Sequence, residues 1–102
     1  MKKLIIRSKS GELLVSAGAT QWQRLEDNYY IDPACIDDSR FVVSQRVYLC
    51  PAKGRSFWVD LKTDRGWLND ICWVYPEPKP AYRHIAGWYG FYPDHQQYEI
   101  SS

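Results

Sequence analysis

Hydrophobic and polar positions alternate with a period of two along much of this chain, in short runs broken by glycine and proline. The clearest run is Ser56–Lys62. Phe57, Val59 and Leu61 share one side of it, and Trp58, Asp60 and Lys62 share the other. That is the pattern of a strand with one buried face. Thr63-Asp64-Arg65-Gly66 follows as a hairpin turn, with Gly66 free to take positive φ. Trp67 to Tyr75 is the predicted partner strand. Strict alternation puts Trp67, Asn69, Ile71, Trp73 and Tyr75 on one face, and Leu68, Asp70, Cys72 and Val74 on the other.

Weaker signals fill in the rest. Leu4–Ile6 and Leu13–Val15 flank Ser10-Gly11 and read as a hairpin. Trp22–Leu25 fits a short strand or a turn of helix, and Asn28–Ile31 is β-like in composition. Asp32-Pro33 starts a short helical piece, with Asp32 as N-cap and Pro33 in the first turn. Arg40–Val43 reads as extended, and Val47–Leu49 as a strand running into Cys50. Pro51 and Gly54 mark a tight loop. Pro76, Pro78 and Pro80 end the strand through Trp73 and forbid a regular helix across them. Ala81–Ala86 predicts one or two helical turns stopped by Gly87. Trp88–Tyr92 predicts a strand, and Tyr98–Ile100 a last edge strand. The fold class expected is mainly β (α+β): a small single-domain antiparallel β-sheet fold with one or two short helices, spanning residues 1–102.

Composition narrows the function. In a chain of 102 residues, 13 Lys and Arg against 12 Asp and Glu give a net charge of +1. Phosphate contacts call for surplus cations, so no nucleic-acid partner is expected. No apolar run approaches the roughly 18 residues of a membrane span. The start, Met1-Lys2-Lys3-Leu4-Ile5-Ile6, resembles a signal peptide only as far as Arg7. The expectation is therefore a cytoplasmic protein with no membrane partner. Cys35, Cys50 and Cys72 are odd in number and far apart, which predicts reduced thiols rather than a disulfide framework. Their spacing fits no zinc template, so neither a metal nor a cofactor is expected. Aromatic residues make up 16% of the chain, including 5 Trp and 8 Tyr. In a domain this small they fill a core, line a pocket or cover an interface.

One stretch concentrates these features. Cys50-Pro51-Ala52-Lys53-Gly54 precedes an aromatic strand through Phe57 and Trp58, then Asp70, then Trp73-Val74-Tyr75-Pro76-Glu77-Pro78. Tyr30 and Pro33 stand before it, and Ile85, Gly87 and Phe91 after it. In order and spacing these landmarks resemble the family known as domain of unknown function 427, sometimes labelled a nucleotidyltransferase domain, with a motif core over residues 28–92. The resemblance implies a compact β-rich domain and carries little chemistry. The chain has no Gly-Ser pair followed by spaced aspartates and no P-loop, so the transferase label maps onto no residues.

The residues themselves nominate a site. Tyr30, Cys50, Lys53, Gly54, Trp58, Trp73 and Tyr75 are the expected ligand-binding set, forming a pocket between the Cys50–Gly54 loop and the aromatic strand 73–75. Aromatic faces would stack on a planar or cyclic ligand or cage a cation. Lys53 and the loop N–H groups would fix an anionic end. Cys50, next to Lys53, is the candidate catalytic residue, because such surroundings favour a thiolate. His84 is the nearest candidate base in sequence. Asp70 reads as a structural acceptor, and His95 as a surface residue. The leading reading is a small-molecule or peptide binding module. The alternatives are an enzyme or redox protein using Cys50, and a homo-oligomeric structural protein, such as a homodimer, with aromatics at its interface.

Overall fold

The computed structural model describes residues 2–102. Nine strands run in chain order: β1 (Leu4–Ser8), β2 (Leu13–Ala17), β3 (Trp22–Leu25), β4 (Asn28–Ile31), β5 (Phe41–Cys50), β6 (Gly54–Thr63), β7 (Gly66–Val74), β8 (Tyr89–Phe91) and β9 (Tyr98–Ser101). Two 3-10 turns, Pro33–Cys35 and Pro80–Ile85, are the helical pieces. Asp32 caps the first, its Oδ1 accepting from Ala34 N at 2.9 Å. The second is kinked at Tyr82, and Gly87 beyond it takes φ 74°. No helix among the described residues is long and apolar enough to cross a membrane.

The strands form two antiparallel sheets. β2-β1-β9 is the smaller, and β3-β4-β8-β7-β6-β5 the larger. One core joins them. Leu4, Ile6, Leu14, Val15, Ala17 and Tyr98 come from the small sheet, and Ile31, Val59, Leu61, Ile71, Cys72, Val74 and Phe91 from the large one. Phe57, Val59 and Leu61 face this core, as the alternation of β6 requires. Full burial of such side chains stabilises a fold by roughly 1.5–3 kcal/mol each. Tyr98 is buried whole because its hydroxyl accepts from Tyr92 N at 2.7 Å, so no polar atom is stranded.

β7 departs from strict alternation. Its register against β6 runs Val59↔Cys72 and then Leu61↔Leu68, so β7 carries extra residues in between. Asp70 sits in this bulge at φ 55°. The bulge rotates Ile71 into the core beside Cys72 and Val74, whereas alternation had placed it on the Trp73 face. A second irregularity, between Val43 and Val47, interrupts β5 on the other side of β6. Arg46 ties the two together, donating to Asp60 Oδ1 and, from Nε at 2.9 Å, to Asp70 Oδ1. Asp60 also accepts from Asp70 N at 2.9 Å. Asp70 is thus an exposed partner of Arg46, in keeping with a structural role.

Candidate functional site

The outer face of the large sheet carries a second, smaller cluster: Tyr30, Trp73, Tyr75 and Ile85, with Trp58, Tyr82, Trp88, Leu25 and Cys50 packed on it. Trp73 and Tyr75 point here because their neighbours Cys72 and Val74 point into the core. The proline-rich segment folds back over the sheet, and Ile85 in its 3-10 turn is fully buried.

Gly90 is what lets the rings meet. It pairs with Tyr30 on one side and Trp73 on the other. A Cβ at Gly90 would lie 2.5 Å from Trp73 Nε1, so the indole lies across the bare backbone. Tyr30 and Trp73 then meet edge to face at 6.1 Å, and Trp73 Nε1–H donates to Tyr30 Oη at 3.3 Å. Trp58 meets Trp73 edge to face at 6.2 Å, and Tyr92 lies 4.6 Å from it.

These rings enclose a cleft of about 280 Å³ lined by Asn28, Tyr30, Tyr48, Lys53, Ser56, Trp58, Trp73, Tyr75 and Tyr92. Its size falls just short of the roughly 300–1,000 Å³ that ligand sites for drug-sized molecules span. Tyr30, Lys53, Trp58, Trp73 and Tyr75 of the expected set line it, whereas Cys50 and Gly54 do not. Asn28, Tyr48, Ser56 and Tyr92 are additional. Ser56 and Tyr48 follow from the β5–β6 register, which sets them opposite one another on the Trp58 face. Tyr92 just past β8 carried no sequence signal beyond its aromatic ring.

Lys53 is used differently from a free point charge. It is nine-tenths buried, and its Nζ is paired with Glu26 and stands 5.0 Å over the Tyr82 ring. Burial pulls the ammonium down, but the contact with Glu26 outweighs it and leaves Lys53 raised. Glu26 is lowered, first by the hydrogen bond from Lys53. Tyr82 Oη also donates to Glu26, at 3.3 Å. The β3–β4 turn puts Glu26 in reach, with Glu26 and Asp27 at φ 50° and 71°, the type I′ pattern that usually calls for Asn-Gly. The cleft is therefore close to neutral, rich in aromatic faces and hydroxyls.

The cysteine loop is closed on itself. Lys53 N–H donates to Cys50 Sγ at 3.4 Å, and Gly54, at φ 108°, pairs with Cys50 across the hairpin. The loop N–H groups are thus spent within the loop. That donation from Lys53 N–H, joined by Ala52 N–H, lowers the Cys50 thiol below its ordinary value. Burial raises Cys35 and, far more, Cys72. His84 is exposed, its ring stacking on Tyr82 at 6.4 Å, and no histidine among the described residues hydrogen-bonds to Cys50. Burial raises the phenols of Tyr30 and, more strongly, Tyr75, which keeps both as protonated hydroxyls well above neutral pH. His95, expected at the surface, is stacked between Tyr92 and Tyr98, and burial lowers its imidazole.

No curated protein matches this chain. The family described as Domain of unknown function (DUF427) matches residues 10–102, which includes every residue of the cleft, and the chain belongs to that family.

Proposed function

We propose that this chain is a binding module for a neutral, planar or cyclic small molecule that carries several hydrogen-bonding groups. The observation that carries the reading is the convergence of Trp58, Trp73, Tyr48 and Tyr92 with neutral hydroxyls on one cleft whose single cation is already met by Glu26. Aromatic faces supply contact area at low entropic cost, and hydroxyls fix orientation. An anionic end gains little here, because Lys53 is compensated before the ligand arrives.

Equilibrium titration with paired probes tests this: nucleosides against their nucleotides, and neutral sugars against sugar phosphates. Neutral members bind at least as well as their phosphorylated partners, and Trp58→Ala weakens binding by tenfold or more, about 1.4 kcal/mol. No binding below millimolar across both sets, or binding only of phosphorylated probes, overturns the reading.

A second reading rests on the lowered thiol of Cys50. It makes the chain an enzyme or redox protein acting through a thiolate. Cys50 is not a wall of the cleft but packs against the Tyr30–Trp73–Tyr75 cluster beside it, so this reading places its chemistry at the loop, next to those rings.

A further inference from the structure

The large sheet ends at β5, which pairs with β6 and with no other strand among the described residues, leaving its opposite edge without a partner strand. Other sheet edges are shorter or guarded. β3 has four residues, with Arg24 in it stacked over Tyr29. β9 has four and includes Glu99, paired with Lys9. β2 has five, and the 3-10 turn Pro33–Cys35 lies against it. Natural edges are usually blunted by charge, proline or a bulge. β5 has one charged residue, Arg46, which is held by Asp60 and Asp70, and its irregularity falls between Val43 and Val47. Beyond it, Val47-Tyr48-Leu49 forms a regular uncharged segment. Val47 is 45% exposed, Tyr48 52% and Leu49 70%.

That segment matches itself. In an antiparallel pair, residues directly opposite lie on the same face. With Tyr48 opposite the same residue of a second copy, Val47 meets Leu49 on both sides of the axis. Apolar meets apolar, aromatic meets aromatic, and no like charges are opposed. We propose that two copies of this chain pair through their β5 edges across a two-fold axis at Tyr48, joining the two large sheets into one. Tyr48 lines the cleft, so this pairing brings the partner's Tyr48 to the mouth of the cleft and gives each site a residue from the other chain. The contact is a short strand edge with a small apolar patch, so the dimer is a reversible one. The pairing does not depend on what the cleft binds.

Sedimentation equilibrium from about 1 µM to about 1 mM, the range of reversible dimers, reads it directly. The wild-type chain shifts from monomer to dimer across that range. Leu49→Lys weakens dimerisation at least tenfold, whereas Trp67→Lys, at an exposed aromatic far from the axis, leaves it unchanged. In a Cys50→Ser background, Tyr48→Cys is oxidised by diamide to a covalent dimer, with the two introduced thiols linked to each other in the peptide map. A chain that is monomeric throughout, a dimer indifferent to Leu49→Lys, or a dimer that never cross-links at position 48 overturns the proposal. So does a monomer that captures an added extended peptide on β5, which assigns the edge to a foreign strand.

Discussion

The two faces of the large sheet solve different problems with neighbouring residues. On the inner face, Ile31, Cys72, Val74 and Phe91 are buried against the small sheet with no side-chain nitrogen or oxygen to satisfy. On the outer face, their sequence neighbours Tyr30, Trp73, Tyr75 and Gly90 build a cluster in which rings meet edge to face and hydroxyls keep partners. Both faces are well buried at this end of the sheet, and the aromatic cleft opens on the outer one. Burial alone therefore does not separate core from site. Polar handles on buried rings, and a glycine where a strand residue is expected, do.

Adjacent residues of β8 break the comparison most sharply. Phe91→Ala empties the inner face and costs about 3–5 kcal/mol in urea unfolding. Gly90→Ala acts on the outer face. It drives a Cβ into the Trp73 indole, costs about 1–3 kcal/mol, and alters tryptophan fluorescence by moving that ring. If Gly90→Ala left the fluorescence unchanged, the indole would not lie where the outer face needs it.

The Lys53–Glu26 pair sharpens the electrostatic half of the comparison. Glu26 is lowered in the folded chain, so its contribution is present above its unfolded pKa. It is lost as pH falls through the folded value, in the region below about pH 4.3. Acid unfolding of Glu26→Gln then shows a shallower loss of stability over that window than the wild-type chain. An equal slope would mean that Lys53 is not held by Glu26. The smallest effect is chemical. Alkylation by iodoacetamide, followed peptide by peptide, runs Cys50 fastest, Cys35 next and Cys72 slowest. Cys50 reacts already below the pH at which an ordinary thiol does. Cys50 reacting no faster than a free thiol removes the case for thiolate chemistry.

The fold was largely legible because strand periodicity and turn residues agree. The Thr63–Gly66 hairpin, the Asp32 cap and the strands through Phe57 and Trp73 all follow from local pattern. What escaped depends on non-local geometry. The bulge at Asp70 turned Ile71 inward, and nothing in an alternating run announces where it slips. The Glu26-Asp27 turn carries no glycine, so the β3–β4 hairpin left no turn signal. Lys53 looked like a free cation because its partner lies in that unread turn. The cleft walls Tyr30, Trp58, Trp73 and Tyr75 were legible as aromatics at strand positions, whereas Tyr48, Ser56 and Tyr92 join them only through sheet register.

The most direct test of the binding cleft uses the chain's own reporters. Of its 5 tryptophans, Trp58 and Trp73 line the cleft, while Trp22, Trp67 and Trp88 do not. Indole N–H resonances recorded by ¹⁵N NMR during titration with the best neutral probe read all of them at once. Saturable shifts of Trp58 and Trp73 are expected, with Trp22 and Trp67 unmoved. Shifts confined to Trp22, Trp67 or Trp88, or none at millimolar probe, would contradict it.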